Sequence, residues 1–368
     1  LSWKAIVGVG VSAFFIWWVL RGEDLGQILK QISQANIWYF FASIVVGTAG
    51  YFIRALRWHV LLQPICPDSK LRSRFAAICI GFAVNNVFPA RLGELARPFA
   101  LSRAEKVTVS GAFGSLVVER FLDSLVLVTL FLVPMALPSF PGTEDFLAGA
   151  GGAILKATFV MLAVFLVGLV GLLIFPEPLI RLAERICGRL PGPLGDRLVG
   201  ALESFLHALK VLRHPRLLTE AILWSYGFWI WHGWSFWLGM KAFGIDLGFD
   251  TALFTAAVVG FAVAIPASPG FFGTFQLGAD LALNGVYGAA APATLAFAFG
   301  YHLGGFFPVT IIGFYYAWRM GFSVAEMRGS EATVQRAMES QAPSARGGDV
   351  NHDTDHDGDH DAGRFHDG

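Results

Sequence analysis

The sequence predicts an all-α polytopic membrane protein with about six full spans and two re-entrant helical hairpins in an inverted-repeat arrangement. Three observations carry this prediction. Of the 368 residues, 55% are hydrophobic and only 15% charged, far from the balance of a soluble domain. Apolar runs recur along the chain, and several are too short to cross a bilayer, which takes roughly 17–25 residues. Lysine and arginine gather in alternate loops, so the positive-inside rule returns two of the short segments to the face they enter.

In order, the apolar runs are 5–20, 37–53, 75–88, 107–137, 154–175, 217–243, 252–265, 271–283 and 293–318. The first has the length of a signal peptide, but Arg21 follows it directly and no A-x-A-like site does, so it reads as a retained span. Arg54, Arg57, Lys70, Arg72 and Arg74 precede the third run, and Arg91, Arg97, Arg103 and Lys106 follow it. Both its ends are therefore cytoplasmic, and residues 73–103 form a hairpin turning near Asn85–Gly93. The loop 138–152 holds Glu144 and Asp145 and no base, so it is external and run 107–137 crosses outward.

Residues 176–215 are rich in arginine and read as cytoplasmic. Leu179, Ile180, Leu182, Ala183 and Ile186 fall on one helical face, and Pro191-Gly192-Pro193 separates a second amphipathic helix; the two are expected at the inner interface, over about 177–213. Segments 244–250 and 284–292 lack Lys and Arg and read as external, although Lys241 counts against the first. Residues 251–283 between them then form a second hairpin, entering from outside. The last run returns to Arg319 and places the C-terminus inside. A transmembrane domain over 1–320 and a disordered Asp/His-rich cytoplasmic tail over 321–368 follow.

An internal echo links the hairpins. Gly260-Phe261-Ala262-Val263 repeats Gly81-Phe82-Ala83-Val84, and with one extra residue Pro269 and Gly273 fall where Pro89 and Gly93 stand. Two broken helical segments in corresponding places of two halves point to a transporter binding site.

Ionisable groups at membrane depth mark polar sites by default. Arg91 and Arg97 flank a helix break whose returning half-helix offers free N–H groups, the makings of an anion site; pairing with Glu94 is the bland alternative. Glu119 and Asp123 share a helix face with Arg120 between them, about 18 Å deep by rise per residue. That trio reads either as an ion-pair cluster tied to Arg91 or Arg97 or as a participant in substrate or proton coupling. Arg54 and Arg57, beside Trp58, suit lipid-phosphate snorkelling and substrate contact equally. Pro266, Pro269, Gly270 and Gly273 break the second hairpin without charge, Gln276 being the nearest strong polar group and Asp280 following one turn later. His232, crowded by tryptophans, and His302 read as packed.

Together, Arg54-x-x-Arg57-Trp58, Asn86-x-x-Pro89-x-Arg91-x-Gly93-Glu94-x-x-Arg97, Glu119-Arg120-x-x-Asp123 and Pro266-x-x-Pro269-Gly270-x-x-Gly273 resemble the membrane family that includes the flippase region of lysylphosphatidylglycerol synthases. The resemblance covers about residues 1–320. It implies translocation of a polar or charged lipid across an inner membrane, with no transferase domain and hence no enzyme. The second hairpin of that family often reads P-G-G-x-G-x-x-E, whereas this chain has Phe271 and Gln276 at the second Gly and the Glu.

Other classes find little support. Zero net charge gives no reason to expect nucleic acid, and no P-loop, nucleophile elbow, zinc motif or cofactor motif occurs. Cys66, Cys79 and Cys187 lack paired spacing and read as reduced thiols. In the tail, Asp353, Asp355 and Asp357 resemble the start of a calcium loop, but Arg364 stands where its Glu belongs. His352, His356 and His360 give a weak metal alternative there. A membrane-embedded glycosyl- or acyl-transfer enzyme using Glu119 or Asp123 as base, and a non-catalytic scaffold for lipid synthesis, remain the runners-up. The expected partner is a membrane lipid, with homo-oligomerisation or a lipid-synthesis partner left open.

Overall fold

A computed structural model describes residues 3–88, 91–141, 174–187, 194–264 and 269–322, with scattered positions between 148 and 171. Most of the fifth apolar run, the Ile265–Ser268 part of the second turn including Pro266, Pro89, and the tail with its metal alternative lie outside the described residues. The described residues are helical, with no strand among them. The helices are α1 (Trp3–Leu20), α2 (Leu25–Ser33), α3 (Ile37–Leu62), α4 (Leu71–Val87), α5 (Gly93–Ala104), α6 (Val109–Met135), α7 (Pro176–Cys187), α8 (Leu194–Ala208), α9 (Pro215–Ala242), α10 (Phe249–Ala264), α11 (Thr274–Leu283) and α12 (Ala291–Arg319).

Local chemistry sets several boundaries. The Asp24 carboxylate caps α2, the Asn36 side chain accepts from the N–H groups of Trp38 and Tyr39 to start α3, and Thr108 accepts from Gly111 N to start α6. Among the described residues, α3 and α12 are long and apolar enough to cross a bilayer by composition alone. The helices α6 and α9 are as long, at 27 and 28 residues, and carry charges. Their large apolar side chains face outward at many positions, Trp234, Ile230 and Val133 among them, as suits lipid rather than water as solvent.

The two broken segments each fold back on themselves. In the first, α4 and α5 run antiparallel, with Gly93 against the Gly81 carbonyl and Gly93 N donating to Asn85 Oδ1 at 2.7 Å. A side chain at residue 93 would meet that carbonyl, so close approach requires glycine here. In the second, α10 and α11 are antiparallel, joined through Pro269–Phe271, and Gly273 takes a φ of 88° that glycine alone adopts at no cost. Both turns also hold one non-glycine residue in left-handed conformation, Arg91 with φ 55° and Phe271 with φ 60°. These two residues occupy equivalent places in the Pro-x-x-x-Gly echo read from the sequence.

The hairpins pack into a shared frame. α3 lies along α9, α4 along α12, and α6 contacts both α5 and α10. The amphipathic stretch is helical over α7 and α8, and α8 is drawn onto α6, burying Leu206, Ala208 and Leu209. Lys241, the residue at odds with an external loop, hydrogen-bonds Asp246 and holds that carboxyl below its usual range. Its charge is thus matched locally. Cys66 and Cys79 are free thiols.

Candidate functional site

Two features lie side by side in the centre of the fold, a buried charge cluster and a cavity. The cluster is built on α6, whose i, i+4 spacing stacks Glu119 and Asp123 on one inward face. Arg97 of α5 donates to both Glu119 oxygens at 2.8 Å, a bidentate pair, and its guanidinium lies 3.9 Å from the Trp58 ring centroid. Arg57 of α3 donates to Asp123 Oδ1 at 2.5 Å and stands 3.1 Å from Glu119 Oε1. Trp229 Nε1, from α9, reaches Asp123 Oδ1 at 2.9 Å, and Arg120 hydrogen-bonds Glu119. Trp58 Nε1 donates to Ser115 Oγ at 2.9 Å, fixing the ring under Arg97. Four helices thus converge on two carboxylates.

Such a cluster is expensive to bury and specific once built. Arg57 and Glu119 are fully buried, and Arg54, Arg97 and Asp123 nearly so. The carboxylates carry two negative charges against the four of Arg54, Arg57, Arg97 and Arg120. Glu94 interacts with both Arg91 and Arg120, so with these included three carboxylates face five arginines. Two positive charges therefore remain in excess, with the Arg120 side chain partly exposed.

Beside the cluster is a cavity of about 210 Å³. The first hairpin contributes Phe82 and Asn86 to its wall and the second Val259, Gly260, Val263, Phe271 and Phe275. Thr48, Tyr51 and Arg54 of α3, Phe228 and His232 of α9 and His302 and Gly305 of α12 complete it. Arg54 is the cluster's only arginine that lines it. Its Nη1 is 3.7 Å from Glu119 and 3.9 Å from Asp123, within ion-pair range but with no hydrogen-bond acceptor.

The hairpin turns meet across the cavity. The Arg91 guanidinium donates to the Val263 carbonyl at the C-terminal end of α10, where the helix leaves carbonyls unmatched, and stands 5.6 Å from the Phe271 ring. Asn86 donates to Thr310 Oγ1 at 2.7 Å. In the second hairpin, Gly273 N donates to Gln276 Oε1 at 2.8 Å, and Gln276 Nε2 lies 3.2 Å from His302 Nδ1. That imidazole also hydrogen-bonds the Gly270 backbone. His302 thereby ties the second turn to α12, while Phe275 stacks on it at 4.4 Å.

The structure unites most of the residues singled out in the sequence. Arg54, Arg57, Arg97, Glu119, Arg120 and Asp123 form one cluster; Arg91, Asn86, Gly270, Gly273 and Gln276 fix the two turns. Arg97 and Arg91 both engage protein partners, and the first returning amide, that of Gly93, is taken by Asn85. Asp280 accepts from Asn284 at 3.1 Å and does not line the cavity. His232 is packed between Phe228, Trp229 and Phe236, yet one edge opens on the cavity. Sequence reading passed over Thr48, Tyr51 and Trp229. The first two had a partial signal, the i, i+3 steps that set Thr48 beside Tyr51 and Tyr51 beside Arg54 along α3. The third had none, because its carboxylate lies 106 residues away.

Helices throughout the described residues, with a buried ion cluster beside a cavity between two broken hairpins, define a polytopic membrane protein with an intramembrane polar site. The chain belongs to the family of the lysylphosphatidylglycerol synthase TM region, which matches residues 5–313. Among curated proteins it is similar to a UPF0104 membrane protein of Methanocaldococcus jannaschii, 22% identical over 58% of this chain and 64% of that one. A glycosyltransferase AglD of Haloferax volcanii is 24% identical over 75% of this chain and 47% of its own length. A UPF0104 membrane protein of Methanothermobacter thermautotrophicus is 22% identical over 66% and 73%. The chain thus spans less than two thirds of the first and less than half of the second.

Proposed function

We propose that this protein translocates a polar or charged lipid between the leaflets of an inner membrane, with six spans, two hairpins entering from opposite faces and a cytoplasmic C-terminus. The observation that carries the reading is the cavity walled by both hairpin turns. A translocation site must be reachable from either leaflet in turn, and a chamber closed by two opposed, broken hairpins meets that need when one turn withdraws. The headgroup occupies the chamber while the acyl chains stay in lipid. Arg91 on the Val263 carbonyl is the tie between the turns, and one hydrogen bond of this kind is cheap enough to open repeatedly.

The transferase alternative draws on the name of one relative, AglD, of which the match covers 47%. Against a base role, Glu119 is held by Arg97, Arg57 and Arg120, and Asp123 by Arg57 and Trp229, and neither lines the cavity. A carboxylate so engaged is a poor proton acceptor.

The test is leaflet exchange of fluorescent phosphatidylglycerol in vesicles containing the purified protein, read by quenching from outside, with the recovered lipid weighed by mass spectrometry. Exchange without a mass change is expected. Gly305→Phe is the matched control, because a Cβ at residue 305 meets open space. A ring there fills the chamber, and the variant is expected to fold normally and exchange lipid at the protein-free rate. Normal exchange by Gly305→Phe would remove the cavity from the pathway, and a mass change dependent on an added donor would favour the transferase.

A further inference from the structure

The cavity's chemistry is one-sided in charge. Among the described residues that line it there is an arginine, Arg54, and no aspartate or glutamate. Arg54 is 8% exposed, its Nη1 has no hydrogen-bond acceptor, and its guanidinium lies 3.9 Å from the Phe228 ring and 5.4 Å from that of Phe82. Two rings pack against it, and the residue lines the chamber. Six residues earlier in α3, Thr48 also lines the cavity, and its hydroxyl is buried without a partner. Buried donors without acceptors are uncommon, and here two residues that line one cavity each carry such a donor.

Charge points the same way. With Arg91 and Glu94 counted, the groups around Arg54 leave two positive charges in excess, and a negative group in the chamber would offset part of that excess. Among the described residues that line the chamber, no carboxylate is placed to receive a cation. Gln276 supplies a neutral amide to the second turn, and Asp280 is turned to Asn284 outside the cavity.

Resting on the translocation reading, we infer that the chamber selects its lipid by charge: a phosphate oxyanion binds Arg54 with Thr48 donating to it, and headgroups bearing an ammonium are rejected. An ammonium entering this site gains no counter-charge and is repelled by the excess arginines. Specificity by an unmatched buried charge is a matter of disfavouring the wrong ligand as much as of holding the right one.

Exchange rates of phosphatidylglycerol and its lysyl ester in phosphatidylcholine vesicles test this, since the pair differ in an added cationic group. Phosphatidylglycerol is expected to move about tenfold faster or more, with Arg54→Gln slowing it by a similar factor and Arg54→Lys recovering part of the loss. Thr48→Val preserves shape and leaves the ion cluster alone; it is expected to slow phosphatidylglycerol several-fold without lowering the melting temperature. Inorganic phosphate, added to the detergent-solubilised protein, is expected to stabilise the wild type more than Arg54→Gln.

Equal rates for the two lipids would overturn charge selection and leave translocation standing. If neither lipid moves, the translocation reading fails; phosphate stabilisation that Arg54→Gln abolishes would then retain the anion site for free phosphate. Wild-type exchange and wild-type phosphate stabilisation in both Arg54→Gln and Thr48→Val would overturn the site itself.

Discussion

The two hairpins share a turn and differ in what fastens it. In both, a left-handed residue precedes a glycine that starts the returning helix, Arg91 before Gly93 and Phe271 before Gly273. The first hairpin is then bolted by charge, through the bidentate Arg97–Glu119 pair. The second is fastened by neutral groups, Gln276 on the Gly273 amide and His302 on Gln276. Breaking the first exposes an unmatched charge; breaking the second costs ordinary hydrogen bonds. The comparison assigns the first hairpin to the frame and makes the second the half that can withdraw.

The largest expected effect follows from the frame. Glu119→Ala leaves Arg97, Arg57 and Arg120 gathered without their common acceptor, which costs roughly 3–5 kcal/mol, and little folded protein should survive detergent extraction and size-exclusion chromatography. The double variant Arg97→Ala/Glu119→Ala should regain part of it. A well-folded Glu119→Ala protein would dissolve the distinction between the hairpins. The equivalent change in the second hairpin is Gln276→Ala. It strands the Gly273 amide, at a cost of about 1–3 kcal/mol, so the protein should remain folded with a lower melting temperature. A loss as great as that of Glu119→Ala would make both hairpins equally rigid.

How far the sequence showed this depends on the kind of signal. Helices, the two breaks and the inward face of Glu119 and Asp123 follow from periodicity, Pro/Gly punctuation and membrane cost, all of which are local or compositional. The partners of those carboxylates are not local. Arg97 is paired with Glu119 and Arg91 with the Val263 carbonyl because of how α5, α6 and α10 pack, and residue spacing does not encode that choice. Consequently the sequence brought Arg91 and Arg97 forward as the anion site, whereas Arg54 is the arginine that opens on the cavity. Arg54 packs on Phe228, 174 positions along the chain, and a contact of that reach is visible only in three dimensions.

The central claim is that the two hairpins enter from opposite faces and close one chamber between them, and single cysteines tested with a membrane-impermeant thiol reagent address it most directly. With Cys66, Cys79 and Cys187 replaced, cysteines at Lys70 and Lys106, which flank the first hairpin, should label only from the cytoplasmic side. Cysteines at Asp246 and Gly288, which flank the second, should label only from outside. Labelling of positions 70 and 106 from opposite sides, or of all four from the same side, would contradict the account.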